Sequence, residues 1–380
     1  MGKKFDNKSK YSSKDFQRSI SNFTEKTSLR LDTKNIIGIS GHSIIFPAVS
    51  KGGRTFIAKI MYLDQTDENE LKLILNEGSF ISNAKHSSII KSFSFYEIEK
   101  RKCYAIIMQK ASGTLSQVIN IVHKGTLYSK MLNCVHKTYN YLSKYFMSKV
   151  LKSLMYFKEN NWLHLDIKPD NYLLFGNEIK LSDFTLSKFV DKSKEEFNLP
   201  LMGTSSYMAP EYYINKGVIK SEDAEKVDVF ALGCMLFKML FNDRVIKCNK
   251  TKESYSCKDV IKDIYESERF INESDINENI KVLLKKMLHP DIKQRATLMD
   301  VVSDKWINKG KESIQHVELL NEDDYTKMLI EVQKLDYLEK VKDNNNNNNK
   351  VVVKEEPSYK SKRCLMKNRN KNGKFKFLLR

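Results

Sequence analysis

The chain has 380 residues, of which 41% are hydrophobic and 29% are charged, a composition typical of a globular protein. Its longest apolar stretch, Val227 to Phe241, is interrupted by Asp228 and Lys238 and is too short to span a bilayer, so it predicts a buried helix and no transmembrane segment. The formal net charge of +18 would favour nucleic-acid binding if it were spread over the fold, but most of it lies at the two ends of the chain. Residues 1–30 hold eight Lys/Arg against three acids, and residues 350–380 hold eleven against two.

Both ends of the chain are basic and poor in apolar residues. We predict a disordered basic extension over residues 1–30 and a low-complexity basic tail over residues 344–380, which opens with the run Asn344 to Asn349. A solvated arm is the ordinary role of such a segment, and docking to an anionic surface, a nucleic acid or an acidic partner is the alternative. The six cysteines form no CxxC pair and we identify no secretory signal, which predicts reduced thiols in the cytoplasm, with the nucleus as the alternative compartment.

The first part of the remaining chain is rich in predicted strands. Alternating β-branched and aromatic residues from Ile36 to Ile60 predict three short strands, and two more follow at Ile89 to Ile98 and Tyr104 to Gln109. Helical spacing of apolar residues predicts helices over Asn69 to Ala84, Tyr141 to Lys158, Val227 to Phe241, Asn279 to Leu288 and Leu298 to Trp306, and a helical extension over residues 310–343. This order predicts an α+β fold of two lobes, a small β-rich lobe and a larger helical lobe, with a ligand cleft between them.

The strongest chemical signal is the run His164-Leu165-Asp166-Ile167-Lys168-Pro169-Asp170-Asn171, followed after a short apolar strand by Asp183-Phe184. Phosphoryl transfer needs a carboxylate that orients the acceptor hydroxyl, a cation beside the phosphate and oxygen ligands for Mg²⁺. These residue types in this order resemble the catalytic loop and the metal-binding loop of eukaryotic protein kinases. The resemblance implies that Asp166 is the catalytic base, that Lys168 steadies the γ-phosphate, and that the metal ligands are Asn171 and Asp183.

The same resemblance assigns a nucleotide pocket in the first lobe. Lys59 ends an apolar strand and Glu77 lies on the following helix, at the spacing of the kinase lysine that binds the α- and β-phosphates of ATP and its helix-C partner. Two unrelated surface charges are the alternative. Met108 occupies the gatekeeper position at the end of a strand, and the other predicted nucleotide contacts lie in the phosphate loop and the hinge: Gly38, Ile45, Gln109 and Ala111.

The sequence departs from the kinase pattern in two regions. In the phosphate loop, Ser40 and Ser43 stand where kinases have glycines whose N–H groups approach the phosphates closely. Around the activation segment, Leu165 replaces the arginine that gathers a phosphorylated loop, and Lys188 supplies only part of that charge. Thr185 replaces the glycine after Asp183-Phe184, which restricts the conformational freedom of this loop.

Residues Met202 to Glu211 resemble the end of a kinase activation segment. The resemblance implies that Thr204 bonds to the catalytic acid and lysine, that Glu211 pairs with Arg295, and that Asp228 holds the backbone of the catalytic loop. It also implies that His164 in the catalytic loop and Phe184 in the metal-binding loop have structural roles.

We therefore predict a protein kinase domain over residues 31–309, with its first lobe over 31–111 and its second over 112–309. The predicted function is transfer of the γ-phosphate of MgATP, with Mn²⁺ as an alternative metal, to Ser/Thr hydroxyls of protein substrates. A catalytically weak pseudokinase, which serves as a nucleotide-binding scaffold or an allosteric partner, is the alternative that the altered phosphate loop and Thr185 leave open.

Overall fold

The computed structural model describes residues 14–40, 43–63, 67–124, 135–176, 178–200, 202–214, 217–247 and 256–308. All of them belong to one unit of the chain, residues 1–333, and a second unit comprises residues 334–380. The predicted helical extension and basic tail lie outside the described residues and stay predictions. Within the described part, no helix is both long and apolar enough to cross a membrane.

The sheet of the first lobe has six antiparallel strands: Leu29–Leu31 (β1), Gly38–Ile39 (β2), Ile44–Ser50 (β3), Thr55–Tyr62 (β4), Ser92–Glu99 (β5) and Cys103–Met108 (β6). Their order is β1-β3-β4-β6-β5, and β2 pairs with β3. Strand β4 is paired on both sides, which places Lys59 between Ile45 of β3 and Ile106 of β6. The lysine is therefore held at the middle of the sheet.

A helix that the sequence did not predict, Lys14–Thr27 (α1), covers the outer face of this sheet. Phe16 and Phe23 lie on one side of the helix and are buried in an apolar cluster with residues of β3, β4 and β6. The predicted disorder of residues 1–30 is therefore wrong from residue 14 onward. The Lys, Ser and Asn residues that suggested disorder accompany an amphipathic helical pattern, which the composition alone conceals; residues 1–13 lie outside the described residues.

The predicted helix that carries Glu77 covers the other face of the sheet and spans Glu68–Asn83 (α2). The Asp67 carboxylate caps its N-terminus by accepting from the Asn69 N–H at 2.8 Å. A Cβ atom at Gly78 would lie 2.4 Å from the ring of Phe95 on β5, so the absence of a side chain lets the helix approach the sheet closely. This approach brings Glu77 to the sheet face that carries Lys59.

The second lobe is built mainly from helices: Leu115–Lys124 (α3), Val135–Glu159 (α4), Glu225–Phe241 (α5), Cys257–Glu273 (α6), Glu278–Met287 (α7), Leu298–Val302 (α8) and Lys305–Asn308 (α9). Helix α5 is buried on almost every side, as its apolar sequence predicts. The predicted helix from Leu298 to Trp306 is divided in two, because the Asp304 carboxylate accepts from the Trp306 N–H at 2.7 Å and starts a new turn. Helices α3 and α6 were not predicted.

Short strands lie between these helices: Gly113–Thr114 (β7), Trp162–Leu163 (β8), Tyr172–Phe175 (β9), Glu178–Leu181 (β10), Lys188–Phe189 (β11), Glu196–Asn198 (β12) and Val218–Lys220 (β13). The predicted catalytic loop lies between β8 and β9, and Asp183 lies two residues after Leu181, the last residue of β10. A β-rich first lobe and a helical second lobe are both present, so the predicted two-lobed α+β architecture is confirmed.

Candidate active site

Lys59 lies at the centre of a network formed by residues of both lobes. Its Nζ atom donates to Glu77 Oε1 at 2.7 Å, to Asp183 Oδ1 at 2.7 Å and to Thr185 Oγ1 at 3.0 Å. The side chains of Lys59 and Glu77 are 6% and 1% exposed, whereas that of Asp183 is 43% exposed. We call these four residues the interlobe network. It contains the predicted Lys59–Glu77 pair and adds two residues that follow β10.

The pKa values in the interlobe network follow from its charges. Burial lowers the pKa of Lys59, but the carboxylates of Asp183 and Glu77 outweigh this effect and hold the pKa above its ordinary value. Desolvation raises the pKa of Asp183, yet the Lys59 ammonium holds it well below its usual range, with a smaller contribution from Lys168. One cation and two carboxylates leave the network with a formal negative charge, which favours a bound cation.

A second network surrounds Asp166. Lys168 Nζ donates to Asp166 Oδ2 at 2.5 Å and to Thr204 Oγ1 at 2.8 Å, and Thr204 Oγ1 donates to Asp166 Oδ1 at 2.7 Å. Asn171 Nδ2 donates to the Asp166 carbonyl at 2.8 Å and to its carboxylate at 3.1 Å. We call these four residues the catalytic-loop network. Its hydrogen bonds hold the Asp166 carboxylate in one orientation.

Asp228, at the start of α5, holds the backbone of the catalytic loop. Its Oδ2 accepts from the His164 N–H and its Oδ1 from the Leu165 N–H, both at 2.8 Å. These bonds fix Leu165 at a φ of 65°, a left-handed conformation that few residues other than glycine adopt. Burial raises the pKa of the Asp228 carboxyl, while His164 and the two N–H donors oppose that rise. The contact with the loop backbone that the sequence predicts is present.

Two other predicted contacts lie away from the reacting groups. The ring of Phe184 is fully buried, and its centroid lies 4.7 Å from that of Phe80 on α2 and 5.7 Å from that of His164. Arg295 donates to both carboxylate oxygens of Glu211, at 2.6 and 3.2 Å, and both residues are buried. The Phe184 ring thus connects the α2 helix to the catalytic loop, and the Arg295–Glu211 pair ties the end of the activation segment to the helical lobe.

The predicted hinge follows β6. Met108, the last residue of β6, is 7% exposed. The Gln109 N–H donates to the Lys91 carbonyl at 3.1 Å, so the Gln109 carbonyl, not its N–H, is the backbone group that it can offer to adenine. Ala111 lies two residues further on and is partly exposed. Their contacts with a nucleotide stay predictions.

The predicted phosphate loop joins β2 to β3, where Gly38 pairs with Ile45. The Ser40 N–H donates to the Ser43 carbonyl at 2.8 Å, and the Ser43 N–H donates to Ser40 Oγ at 3.0 Å. Both serines therefore use their backbone N–H groups inside the hairpin, whereas the loop of a nucleotide-binding kinase offers such groups to phosphate. Residues 41 and 42 lie outside the described residues.

Lys188 is engaged within the activation segment. Its Nζ donates to the Asn198 carbonyl at 2.7 Å and lies 5.0 Å from the centroid of the Phe197 ring. The same stretch forms β12, which pairs with β13. Leu165 is buried and provides no charge. Backbone pairing and a lysine–carbonyl bond therefore hold residues 188–198 in place without a phosphate.

Two oxygen atoms in the described part of the site have no hydrogen-bond partner. Asp183 accepts only through Oδ1, and Asn171 donates only through Nδ2, which leaves Asp183 Oδ2 and Asn171 Oδ1. Mg²⁺ is usually bound through one or two protein oxygens together with phosphate and water, so this pair fits the predicted metal. The described residues contain no group of three or more His, Cys, Asp or Glu that could hold a metal by itself.

The sequence did not predict the part that Thr185 takes in the site. The substitution of glycine by threonine after Asp183-Phe184 was identified as a restriction on the loop, but the hydroxyl was given no partner. The signal was present in the residue type, because threonine adds a donor and an acceptor where glycine has neither. Two of its three partners, Glu77 and Lys59, lie 108 and 126 residues away in sequence.

A family model described as "Protein kinase domain" matches residues 31–307. CBL-interacting serine/threonine-protein kinase 12 of Arabidopsis thaliana is 28% identical over 259 residues, which is 66% of this chain and 46% of that protein. An Aurora kinase of Eremothecium gossypii is 26% identical over 67% of this chain and 63% of its own length, and an Aurora kinase of Dictyostelium discoideum is 25% identical over 73% and 66%. The chain thus matches about half to two thirds of the length of these relatives.

Proposed function

The chain belongs to the eukaryotic protein kinase family, and on that premise we propose that it is an active enzyme that transfers the γ-phosphate of MgATP to serine and threonine hydroxyls of proteins. The observation that carries the proposal is the completeness of the two networks. Lys59, Glu77 and Asp183 meet in one, and Asp166, Lys168 and Asn171 meet in the other.

Under this proposal each residue of the catalytic-loop network has a task. Asp166 accepts the hydrogen bond of the substrate hydroxyl and takes its proton as the hydroxyl oxygen bonds to the γ-phosphorus, while the bond from that phosphorus to the β-phosphate oxygen breaks and ADP leaves. Thr204 and Lys168 hold the carboxylate from both of its oxygens, and an N–H of Lys168 turns to the γ-phosphate when the nucleotide is present. Bound Mg²⁺ supplies charge neutralisation of the phosphates, and Asp183 Oδ2 and Asn171 Oδ1 would hold it.

The acceptor class follows from two residues. Lys168 and Thr204 are bonded to each other and to Asp166, and both match the serine/threonine members of the family. One of the relatives reported above is a serine/threonine-protein kinase. We propose that the acceptors are Ser and Thr hydroxyls of proteins. The proposed compartment is the cytoplasm, with the nucleus as the alternative. The basic tail is proposed to bind an anionic surface or an acidic partner.

A second function, a nucleotide-binding scaffold without transfer activity, is favoured by one region of the structure. Ser40 and Ser43 use their N–H groups within the phosphate loop, and all three N–H groups of Lys59 are occupied by protein atoms. A nucleotide must displace some of these bonds before its phosphates bind. The intact catalytic-loop network favours activity, because a scaffold has no chemical need for it.

The two functions are separated by a transfer assay with radiolabelled ATP, Mg²⁺ and a generic basic protein, with Asp166→Asn as the matched control. Transfer by the wild-type protein and its loss in the variant support the enzyme, and phosphoamino-acid analysis should then give phosphoserine and phosphothreonine. Equal incorporation by both proteins would show a contaminating kinase. No incorporation, together with nucleotide binding, would establish the scaffold; predominant phosphotyrosine would overturn the acceptor class.

A further inference from the structure

The Thr185 hydroxyl lies within hydrogen-bond distance of three charged groups. Its Oγ1 atom is 3.0 Å from Lys59 Nζ, 2.8 Å from Glu77 Oε2 and 2.9 Å from Asp183 Oδ1. Two of these groups belong to the first lobe and one to the second. None of the tasks assigned above requires a side chain at this position, and a glycine would provide none.

The valence of the hydroxyl limits what it can do at any one time. It has one proton to donate and can accept from the lysine simultaneously. It therefore accepts from Lys59 and donates either to Glu77 or to Asp183, whichever carboxylate is less satisfied. The two carboxylates repel each other, and a neutral hydroxyl that accepts from the lysine and donates to one of them stabilises their approach without adding charge.

The same contacts determine which hydrogen bond of Lys59 a phosphate replaces. Lys59 donates to Glu77 Oε1 and to Asp183 Oδ1 at 2.7 Å, to Glu77 Oε2 at 2.9 Å and to the neutral hydroxyl at 3.0 Å. Hydrogen bonds between ions are shorter and stronger than those to neutral groups. A phosphate oxygen that approaches Lys59 therefore replaces Thr185 most easily. The released hydroxyl keeps its bond to a carboxylate.

We propose that Thr185 is a positioning residue. Its hydroxyl holds Asp183 against the Lys59–Glu77 pair and accepts the Lys59 hydrogen bond that a nucleotide phosphate accepts when it binds. The inference rests on the proposed function only in the identity of the ligand, MgATP. A hydroxyl is required at this position, and a side chain of the same size without one does not suffice.

The test compares Thr185→Val, which keeps the shape and removes the hydroxyl, with Thr185→Ser, which keeps the hydroxyl. The exposed Thr55 at the start of β4 gives a matched control, Thr55→Val. Binding of ATP to the purified full chain is measured by calorimetry over a series of Mg²⁺ concentrations, well below each variant's melting temperature. We expect Thr185→Val to weaken binding about tenfold and to raise the Mg²⁺ needed for half-saturation, the size expected for one hydrogen bond to a charged group. Thr185→Ser and Thr55→Val should stay within about twofold of wild type.

Equal binding by Thr185→Val and wild type, or equal weakening by the Ser and Val variants, would overturn the role of the hydroxyl. Because the readout is binding, it is independent of phosphate transfer: a wild-type protein that binds MgATP but transfers nothing would overturn the proposed function and leave the comparison of variants decisive. A wild-type protein that binds no MgATP at all would overturn both.

Discussion

The interlobe network and the catalytic-loop network share a plan, since each joins a lysine, an aspartate and a threonine hydroxyl. In the catalytic-loop network the members Lys168, Asp166 and Thr204 all come from the second lobe and carry no net charge. The interlobe network adds Glu77 from α2 and depends on the approach of two lobes. The first is therefore set by the fold of one lobe, whereas the second responds to anything that moves α2 or the sheet.

Lysine substitutions give the sharpest test of this difference. Lys59→Met and Lys168→Met should each lower phosphate transfer at least about a hundredfold, because each removes a cation beside the phosphates. Only Lys59→Met leaves a fully buried carboxylate, Glu77, without its charge partner, so it should also lower the free energy of unfolding by about 3 kcal/mol. Urea unfolding of both variants gives the comparison.

The matched control is the double variant Lys59→Met/Glu77→Gln, which should recover part of the lost stability and none of the activity. Equal stability of the two single variants would show that the networks do not differ in burial. Asp183→Asn provides a further check, since it should lower transfer at least about a hundredfold while Glu77 keeps its lysine.

A change on the outer face of the sheet should affect the interlobe network more than the catalytic-loop network. Phe23→Ala removes a fully buried ring of α1 and should lower the free energy of unfolding by about 3 kcal/mol. The change loosens the sheet that carries Lys59, so the KM for ATP should rise, while kcat should change less. An exposed residue of the same helix gives the control, Gln17→Ala. A fall in kcat without a change in KM would place the effect of α1 on the second lobe instead.

Phosphorylation of residues 186–206 tests the catalytic-loop network from the side of the activation segment. Leu165 carries no charge, and Lys188 is bonded to the Asn198 carbonyl, so neither is ready to bind a phosphate. Phosphatase treatment should change the rate by less than about twofold, within the range of weak surface charge effects. A large loss that rephosphorylation of this segment restores would show that Lys188 exchanges its carbonyl for phosphate.

Removal of the basic tail should affect neither network. Truncation after Asp343 should leave turnover of a neutral peptide within about twofold of the full chain, because every residue to which the proposed mechanism gives a task precedes the tail in sequence and chain ends tolerate change well. Binding to anionic vesicles should weaken, most clearly at low salt, since clustered lysines contribute about 1 kcal/mol each near such a surface. A tenfold change in peptide turnover would mean that the tail contacts the catalytic lobes.

Sequence motifs predicted the catalytic-loop network better than the interlobe network, for a physical reason. Asp166, Lys168 and Asn171 lie within six residues, so their spacing already limits their geometry. Thr185 meets Lys59 only because two lobes dock, and no local pattern contains that information. Helix α1 was concealed differently: its apolar residues are few, and only their spacing at helical period, which composition does not report, distinguishes it from a solvated arm.

The helix on the outer face also bears on which changes of chain length the first lobe can tolerate. Side chains of β4 alternate between two apolar clusters, with Ala58, Ile60 and Tyr62 in the outer one and Met61 in the inner one, which Leu63 joins directly after the strand. A one-residue slip would exchange the two sets and turn Lys59 into the apolar layer beneath α1. In a sheet with one face in water such a lysine could reach solvent. Here α1 and α2 cover the two faces of the sheet, so the displaced lysine would stay buried. A single-codon insertion or deletion in β4 would therefore prevent folding, and selection would act on the loss of folding and not on catalysis.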